Sequence, residues 1–182
     1  MVCIFLIPAF FAEADTSDKN VQLIQAAEKG SLTDVQTALT NGADINAKDI
    51  SSLERNTALM MASQEGHAEV VKLLLGKGAD VNVKTAANGA TALMIASQNG
   101  HTEVVKLLLV KGADVNVKRR TGETALMIAS QKGHTEVVKL LLGKGADVNV
   151  KTATNGVTAL TIAKKMGRTD IVEILERAGA KE

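Results

Sequence analysis

The sequence predicts an all-α solenoid of stacked helix pairs, because one phrase is written three times almost without change. The copies occupy residues 57–84, 91–118 and 124–151, and the second and third agree at 26 of 28 positions. The Thr-Ala-Leu motif that opens the phrase recurs at intervals of 34, 33 and 34 residues. A period of this length is typical of helical repeats, in which each unit buries its apolar surface only against its neighbours.

Each copy predicts two short helices joined by a tight turn. In the middle copy, Thr91 stands at the N-cap position, where its hydroxyl accepts from an amide of the first turn. Gly100 ends this helix at a position that tolerates positive φ. The second helix begins around Thr102, with Glu103 in its first turn, and stops at Gly112. Its buried stripe is predicted at Val104, Leu107 and Leu108.

Degraded copies flank the three clear ones and extend the array. Residues 21–48 and 158–182 keep the glycine and alanine frame of the phrase but replace several apolar positions with polar side chains. The terminal units of a solenoid have one face without a neighbour, so polar substitution is expected there. We therefore predict five repeats, of which the first and last are caps. The predicted units are residues 15–50, 51–84, 85–118, 119–151 and 152–182.

The sequence motifs within the repeated segment indicate a family. A Gly-His pair separates the two helices, and Gly-Ala-Asp-Val-Asn follows the second. Together with the Thr-x-Leu-x-x-Ala opening, these words resemble the ankyrin repeat over about 160 of 182 residues. The resemblance implies an ankyrin repeat solenoid that acts as a non-enzymatic protein-binding scaffold.

Two positions depart from the usual Thr-Pro-Leu-His-x-Ala pattern of that family. The proline is replaced by alanine, which costs little because alanine is the best helix former. The histidine is replaced by methionine in the three clear copies, and we expect these methionines to fill the core. The replacing residues are Ala58, Ala92, Ala125 and Ala159 for proline, and Met60, Met94, Met127 and Thr161 for histidine.

The N-terminus predicts a secretory signal peptide over residues 1–14. An apolar run from Met1 to Phe11 is followed by an Ala-x-Ala cleavage motif that ends at Ala14. Cleavage there leaves a chain with neither cysteine nor aromatic residues. We expect a bacterial periplasmic or secreted protein, or a cytoplasmic one if the signal is not genuine. The alternatives are an uncleaved anchor, a disordered or packed extension and a misassigned start.

The apolar run is too short to cross a membrane, because a spanning helix needs about 20 residues. We therefore expect no stable membrane anchor after cleavage.

No catalytic, cofactor or metal site is predicted. His67, His101 and His134 occupy equivalent positions on repeats whose helices stack about 8–10 Å apart, too far for one zinc ion with bonds of about 2 Å. We expect them to be structural, between the two helices of each repeat. The aspartates and asparagines of the Gly-Ala-Asp-Val-Asn turns are predicted to cap their own turns. No nucleophile, base and orienting group form a set.

The segments between the helix pairs are predicted to form short β-hairpin fingers. They occupy residues 49–56, 85–90, 119–123 and 152–157. Asn88-Gly89 and Asn155-Gly156 favour a type I′ turn, in which both central residues take positive φ.

The resemblance also implies where a partner binds, because ankyrin repeats usually use the fingertips and the concave face made by their first helices. The corresponding residues of the second repeat are Leu53, Glu54, Asn56, Gln64 and Glu65. Those of the third repeat are Ala87, Asn88, Ala90, Gln98 and Asn99. Those of the fourth repeat are Arg120, Thr121, Glu123, Gln131 and Lys132. The last repeat offers Thr154, Asn155, Val157, Lys165 and Met166.

The charges of Glu65, Asn99 and Lys132, which occupy equivalent positions, run from negative to positive along the array. This series predicts a graded charge on the concave face, although neutral drift explains it equally well. Arg119 and Arg120 are the candidate anchors.

Composition favours an unidentified protein partner and a monomeric chain. The net charge is +1 and the predicted mature chain has no aromatic residue to stack on bases, so nucleic acid is not the expected partner. The roles left open are a module that holds or inhibits its partner, an accessory to a co-expressed periplasmic enzyme, and a secreted effector.

Overall fold

The computed structural model describes the backbone of residues 9–181 and the side chains of residues 17–181. Within this part of the chain there are ten helices and no strand, which confirms the predicted all-α fold. The helices are α1 (Ala9–Lys29), α2 (Leu32–Thr40), α3 (Ala58–Glu65), α4 (Ala68–Gly76), α5 (Ala92–Asn99), α6 (Thr102–Val110), α7 (Ala125–Lys132), α8 (Thr135–Gly143), α9 (Ala159–Lys165) and α10 (Thr169–Arg177).

The N-terminal prediction falls mostly outside these residues. Residues 1–8 are not described, and α1 begins at Ala9, so the signal peptide stays a prediction. No helix in the described part of the chain has both the length and the apolar character needed to cross a membrane.

The helices form two rows. Helices α1, α3, α5, α7 and α9 pack side by side in one row, called here the inner row. Helices α2, α4, α6, α8 and α10 form the outer row, and each also packs against its partner in the same repeat. Five helix pairs follow each other in chain order, as the five predicted repeats require.

The inner helices begin and end where the sequence predicts. The Met94 N–H donates to the hydroxyl of Thr91 at 3.4 Å, and Gly100 ends α5 with φ of 75°. The outer helix α6 begins at Thr102 as expected and ends at Val110, two residues before Gly112.

The core is continuous between the rows, and one predicted core residue is corrected. Met94 is 2% exposed, so the methionines at the family's histidine position are core fillers. In α6 the buried residues are Val104, Val105, Leu108 and Leu109, while the predicted Leu107 is only half-buried. The outer helix packs against both its inner partner and its outer neighbours, which widens the buried stripe beyond the predicted one.

The fingers are turns rather than strand pairs. The second finger is closed by a single backbone hydrogen bond, from Thr85 N–H to Ala90 O at 2.9 Å. Arg55 is the one residue other than glycine with positive φ in the described chain, so the type I′ prediction for Asn88 and Asn155 is wrong. Four residues separate Thr85 from Ala90, too many for a two-residue type I′ loop.

The Asn88 side chain stabilises this longer turn by accepting two hydrogen bonds. Its Oδ1 receives the Thr85 hydroxyl and the Ala90 N–H, both at 2.9 Å. The asparagine is therefore a cap of its finger.

Candidate functional site

The three histidines connect neighbouring repeats. The Nε2–H of His101 donates to the carbonyl oxygen of Gln64 at 2.9 Å, and that of His134 donates to Gln98 O at 3.0 Å. His67 makes the same bond to the first repeat. The histidines are structural, but the prediction that they act between the two helices of one repeat is wrong. Each of these bonds joins the histidine to the preceding repeat.

Each histidine ring lies against a glycine of the preceding repeat. A Cβ atom placed on Gly100 would lie 2.6 Å from Nδ1 of His134, a distance that real Cβ atoms essentially never show. The glycine is thus needed both for its φ of 75° and for the ring that covers it. In the last repeat Arg168 replaces the histidine and covers Gly133 instead.

The asparagines form a second link between repeats, which corrects their predicted local role. The Oδ1 of Asn82 accepts from Asp114 N–H at 2.9 Å, and the Oδ1 of Asn116 accepts from Asp147 N–H at 2.8 Å. The aspartates do cap their own turns as predicted: the Oδ1 of Asp114 accepts from Asn116 N–H at 2.9 Å. The bonds that cross repeats could not be inferred from one copy of the phrase alone.

The fingers are also bonded to one another. Ala86 N–H donates to Glu54 O at 2.9 Å, and Arg120 N–H donates to Asn88 O at 2.8 Å. The Arg120 guanidinium donates to Ala86 O at 2.8 Å as well. Consecutive fingers are therefore held as one row before any partner arrives.

Arg119 is compensated within its own finger. Its guanidinium pairs with the carboxylate of Glu123, which also accepts from the Thr121 hydroxyl at 2.6 Å. Burial raises the pKa of Glu123, but the hydrogen bonds from Thr121 and Arg119 and the charge of Arg119 together hold this pKa below its usual value. The arginine is therefore a structural member of the finger and a weaker candidate anchor than the sequence predicts.

A groove of about 660 Å³ lies between the fingers and the inner row. Its lining includes eight residues that the sequence analysis places at the binding surface: Glu54, Asn56, Gln64, Glu65, Asn88, Ala90, Gln98 and Asn99. It also includes Arg119, a candidate anchor of the sequence analysis, and five residues that were not predicted: Thr85, Met94, Ile95, His101 and Ile128. The apolar members of this second set, Met94, Ile95 and Ile128, occupy positions that are apolar in every clear copy, so the repeat pattern does not distinguish them from core residues.

The remaining predicted residues lie outside this groove. Leu53 projects from the first finger and is 92% exposed. Ala90, which lines the groove, is only 8% exposed, so its side chain offers little contact area there. The other exposed ones are Arg120, Thr121, Gln131, Lys132, Thr154, Asn155, Lys165 and Met166, and the half-buried ones are Ala87, Glu123 and Val157.

The charge series lies at equivalent points of the inner row. Glu65, Asn99 and Lys132 are the last residues of α3, α5 and α7, and all three are exposed. Neither Glu65 nor Lys132 forms an ion pair within the described chain. These charges do not stabilise the stack through a partner of their own.

The described residues contain no group of three or more histidine, cysteine or acidic side chains placed to hold a metal ion. Among the polar side chains that recur in the clear repeats, the histidines and asparagines are occupied by bonds between repeats.

A two-row stack of capped helix pairs with bonded fingers defines a helical repeat scaffold. Residues 23–119 and 111–181 match the family model described as ankyrin repeats (3 copies), and the chain belongs to the ankyrin repeat family. No curated protein matches it. Ankyrin repeats are generic protein–protein interaction modules, and their fold is typically a non-enzymatic scaffold.

Proposed function

We propose that this chain is a non-enzymatic module that binds a protein partner through the groove and the fingertips beside it. The observation that carries the proposal is the groove itself, which is open and lined by polar side chains that the stack does not use. Glu54, Glu65 and Gln98 all line it. Polar groups arranged around a concave surface with an apolar floor are the usual composition of a binding site.

The rigidity of the surface supports the same proposal. The fingers are bonded to one another, and neighbouring repeats are linked through histidine and asparagine side chains. A surface that is ordered before binding loses little conformational entropy when the partner arrives. The chain can therefore bind with useful affinity although it has no tryptophan or tyrosine.

The first finger supplies exposed apolar side chains to the proposed binding surface. Leu53 is 92% exposed and Ile50 is 71% exposed. The two residues are three positions apart in the finger beside the groove. Interface hot spots are usually rich in Trp, Tyr and Arg, so the partner is expected to provide the aromatic side chains.

Export is the second part of the proposal, and it rests on residues 1–14 alone. An exported chain holds or inhibits a partner in the periplasm or outside the cell. A companion role, in which the module stabilises a co-expressed periplasmic enzyme, is the alternative, and a secreted effector acting on another cell is a further one. Sequencing the N-terminus of the mature protein from its host tests export, because cleavage places Asp15 first.

A charge reversal tests the binding surface. Lys132→Glu should weaken binding of the partner captured from the host by about three- to tenfold and should reduce the salt dependence of binding. Lys144→Glu is the matched control, because this exposed lysine follows α8 in the outer row and gives the same change in net charge. Equal dissociation constants for the two variants, measured by calorimetry, would remove Lys132 from the site.

A further inference from the structure

The near-identity of the repeats creates a difficulty for any partner. The second and third clear copies agree at 26 of 28 positions, so the surfaces that they present are almost the same. A partner held only by repeated groups could bind equally well after a shift of one repeat, roughly 10 Å along the stack. Residues that differ between copies are therefore required to fix one position.

Uncompensated charges of opposite sign lie at α3, called here the acidic end of the binding surface, and at α7 and α9, called its basic end. Glu54 and Glu65 line the groove at the α3 end, and Glu65 accepts a hydrogen bond from Gln64 at 3.0 Å. Lys132 and Lys165 are exposed at the ends of α7 and α9. None of these four forms an ion pair within the described residues.

The region between the two ends is neutral. In α5, the uncharged residues Gln98 and Asn99 occupy the positions that Gln64 and Glu65 occupy in α3. Beyond the acidic end, Glu28 and Lys29 of α1 stand at the positions of Gln64 and Glu65 and carry no net charge together. The neutral stretch separates the acidic end from the basic end by one whole repeat.

The other nearby cations do not disturb this arrangement. Arg119 is paired with Glu123, and Lys164 is paired with Glu176. Arg120 donates to a carbonyl of the neighbouring finger. The wider charge distribution has the same sense, because residues 17–90 carry 7 basic and 9 acidic side chains whereas residues 91–181 carry 14 basic and 8 acidic ones.

We infer that the partner segment lying along the inner row carries opposite charges at its two ends. Its basic residues lie near α3, and its acidic residues lie near α7 and α9. This inference rests on the proposed function and adds the chemistry and orientation of the partner. Glu65 and Lys132 are two repeats apart, about 20 Å, which an extended chain covers in about six residues. A shift of one repeat towards α1 places the acidic end of the partner beside Asn99, and a shift towards α9 places its basic end there, so either shift breaks the ion pairs at one end.

The expected discrimination is modest for each pair and useful in sum. An exposed ion pair changes affinity by up to about fivefold. Loss of the ion pair at one end should therefore disfavour the shifted position by up to about fivefold. The same charges disfavour the reversed orientation more strongly, because reversal places like charges together.

A spin-labelled peptide tests the inference without knowledge of the natural partner. The probe is a synthetic peptide with a pair of lysines and a pair of glutamates separated by about six neutral residues, labelled at its lysine end. Amide resonances of the isotope-labelled protein report where the label lies. We expect broadening near Glu65 and little near Lys132.

The decisive variant exchanges the two charges and keeps the net charge. In Glu65→Lys/Lys132→Glu, broadening should become equal at the two ends or move to residue 132. The neutral variant Glu65→Gln/Lys132→Gln should also lose the preference. Glu69→Lys/Lys139→Glu is the matched control, because it makes the same exchange on the outer helices α4 and α8 and should keep the wild-type pattern.

The outcomes separate the inference from the proposed function. Equal broadening at both ends of the wild-type protein, no broadening at either end, or a preference that survives the exchange would overturn the inferred polarity and leave protein binding intact. Broadening confined to the outer helices would contradict the proposed binding surface as well.

Discussion

The side-chain oxygen of Asn116 accepts a hydrogen bond of 2.8 Å from the backbone N–H of Asp147, one repeat further along the chain. The same asparagine donates through Nδ2 to Gly145 O at 3.1 Å. One side chain thus bonds an N–H and a carbonyl of the next repeat. Its counterparts Asn82 and Asn149 make the same pair of bonds.

Removing this side chain should loosen the stack. Asn116→Ala leaves two backbone groups without a protein partner and should lower the free energy of unfolding by about 1 kcal/mol, because water replaces part of what is lost. Asn116→Asp keeps the acceptor and should lose about half as much. Urea unfolding measures both, with Asn99→Ala as the control, since Asn99 bonds only to its own helix through Ile95 O. An Asn116→Ala variant as stable as this control would refute the role.

The glycine under each histidine should be more sensitive than other glycines with positive φ. Gly100→Ala introduces a clash with His134, whereas Gly112→Ala meets nothing within 4 Å at a similar φ of 84°. Both variants lose about 1 kcal/mol to the backbone conformation, and Gly100→Ala should lose at least about 1 kcal/mol more. Thermal unfolding compares them. Equal losses would mean that the histidine does not occupy this position in solution.

The two neighbouring leucines of α6 should differ. Leu108 is 0% exposed, so Leu108→Ala should cost about 2–5 kcal/mol through the cavity it leaves. Leu107 is half-buried, and Leu107→Ala should cost about 1 kcal/mol. Val110→Ala, at a residue 71% exposed, should change little. Denaturant unfolding gives all three values, and a larger loss at Leu107 than at Leu108 would reverse the assigned faces.

Acid should weaken the third finger. The folded pKa of Glu123 lies below its ordinary value of 4.5, so its contribution to stability is complete above that pH and is lost as the pH falls through the folded pKa. Glu123→Gln should therefore be less stable than the wild-type protein at neutral pH by about 0.5 kcal/mol, since the ion pair is partly exposed. The difference should vanish in strong acid. A difference that is constant with pH would assign it to some other cause, and Glu103→Gln controls for the loss of one exposed carboxylate.

The sequence predicts the fold well because its signals are local. Thr91 caps its helix and Gly100 ends it as expected, since both effects depend on residues within one turn. The roles of the residues that connect repeats are harder to predict from the sequence. Nothing within one copy of the phrase shows that His101 reaches Gln64 or that Asn116 reaches Asp147, because these bonds depend on how two copies stack.

The candidate site was predicted in part for a related reason. The exposed difference between copies locates Glu65 in the groove, and the family resemblance locates Gln98 there. Ile95 also lines it, but its position is apolar in every clear copy and is therefore indistinguishable from the core in sequence. Ala90 shows the opposite error, since the sequence predicts this finger residue at the contact surface but its side chain is 8% exposed.

The most direct test of protein binding by the groove and fingertips is amide hydrogen exchange on the complex with the partner captured from the host. We predict slowed exchange in the fingers at residues 85–90 and 119–123 and at the C-terminal ends of α3, α5 and α7. Exchange in α4, α6 and α8 should be the same in the complex as in the free chain. Protection confined to those outer helices, with the fingers unchanged, would contradict the account.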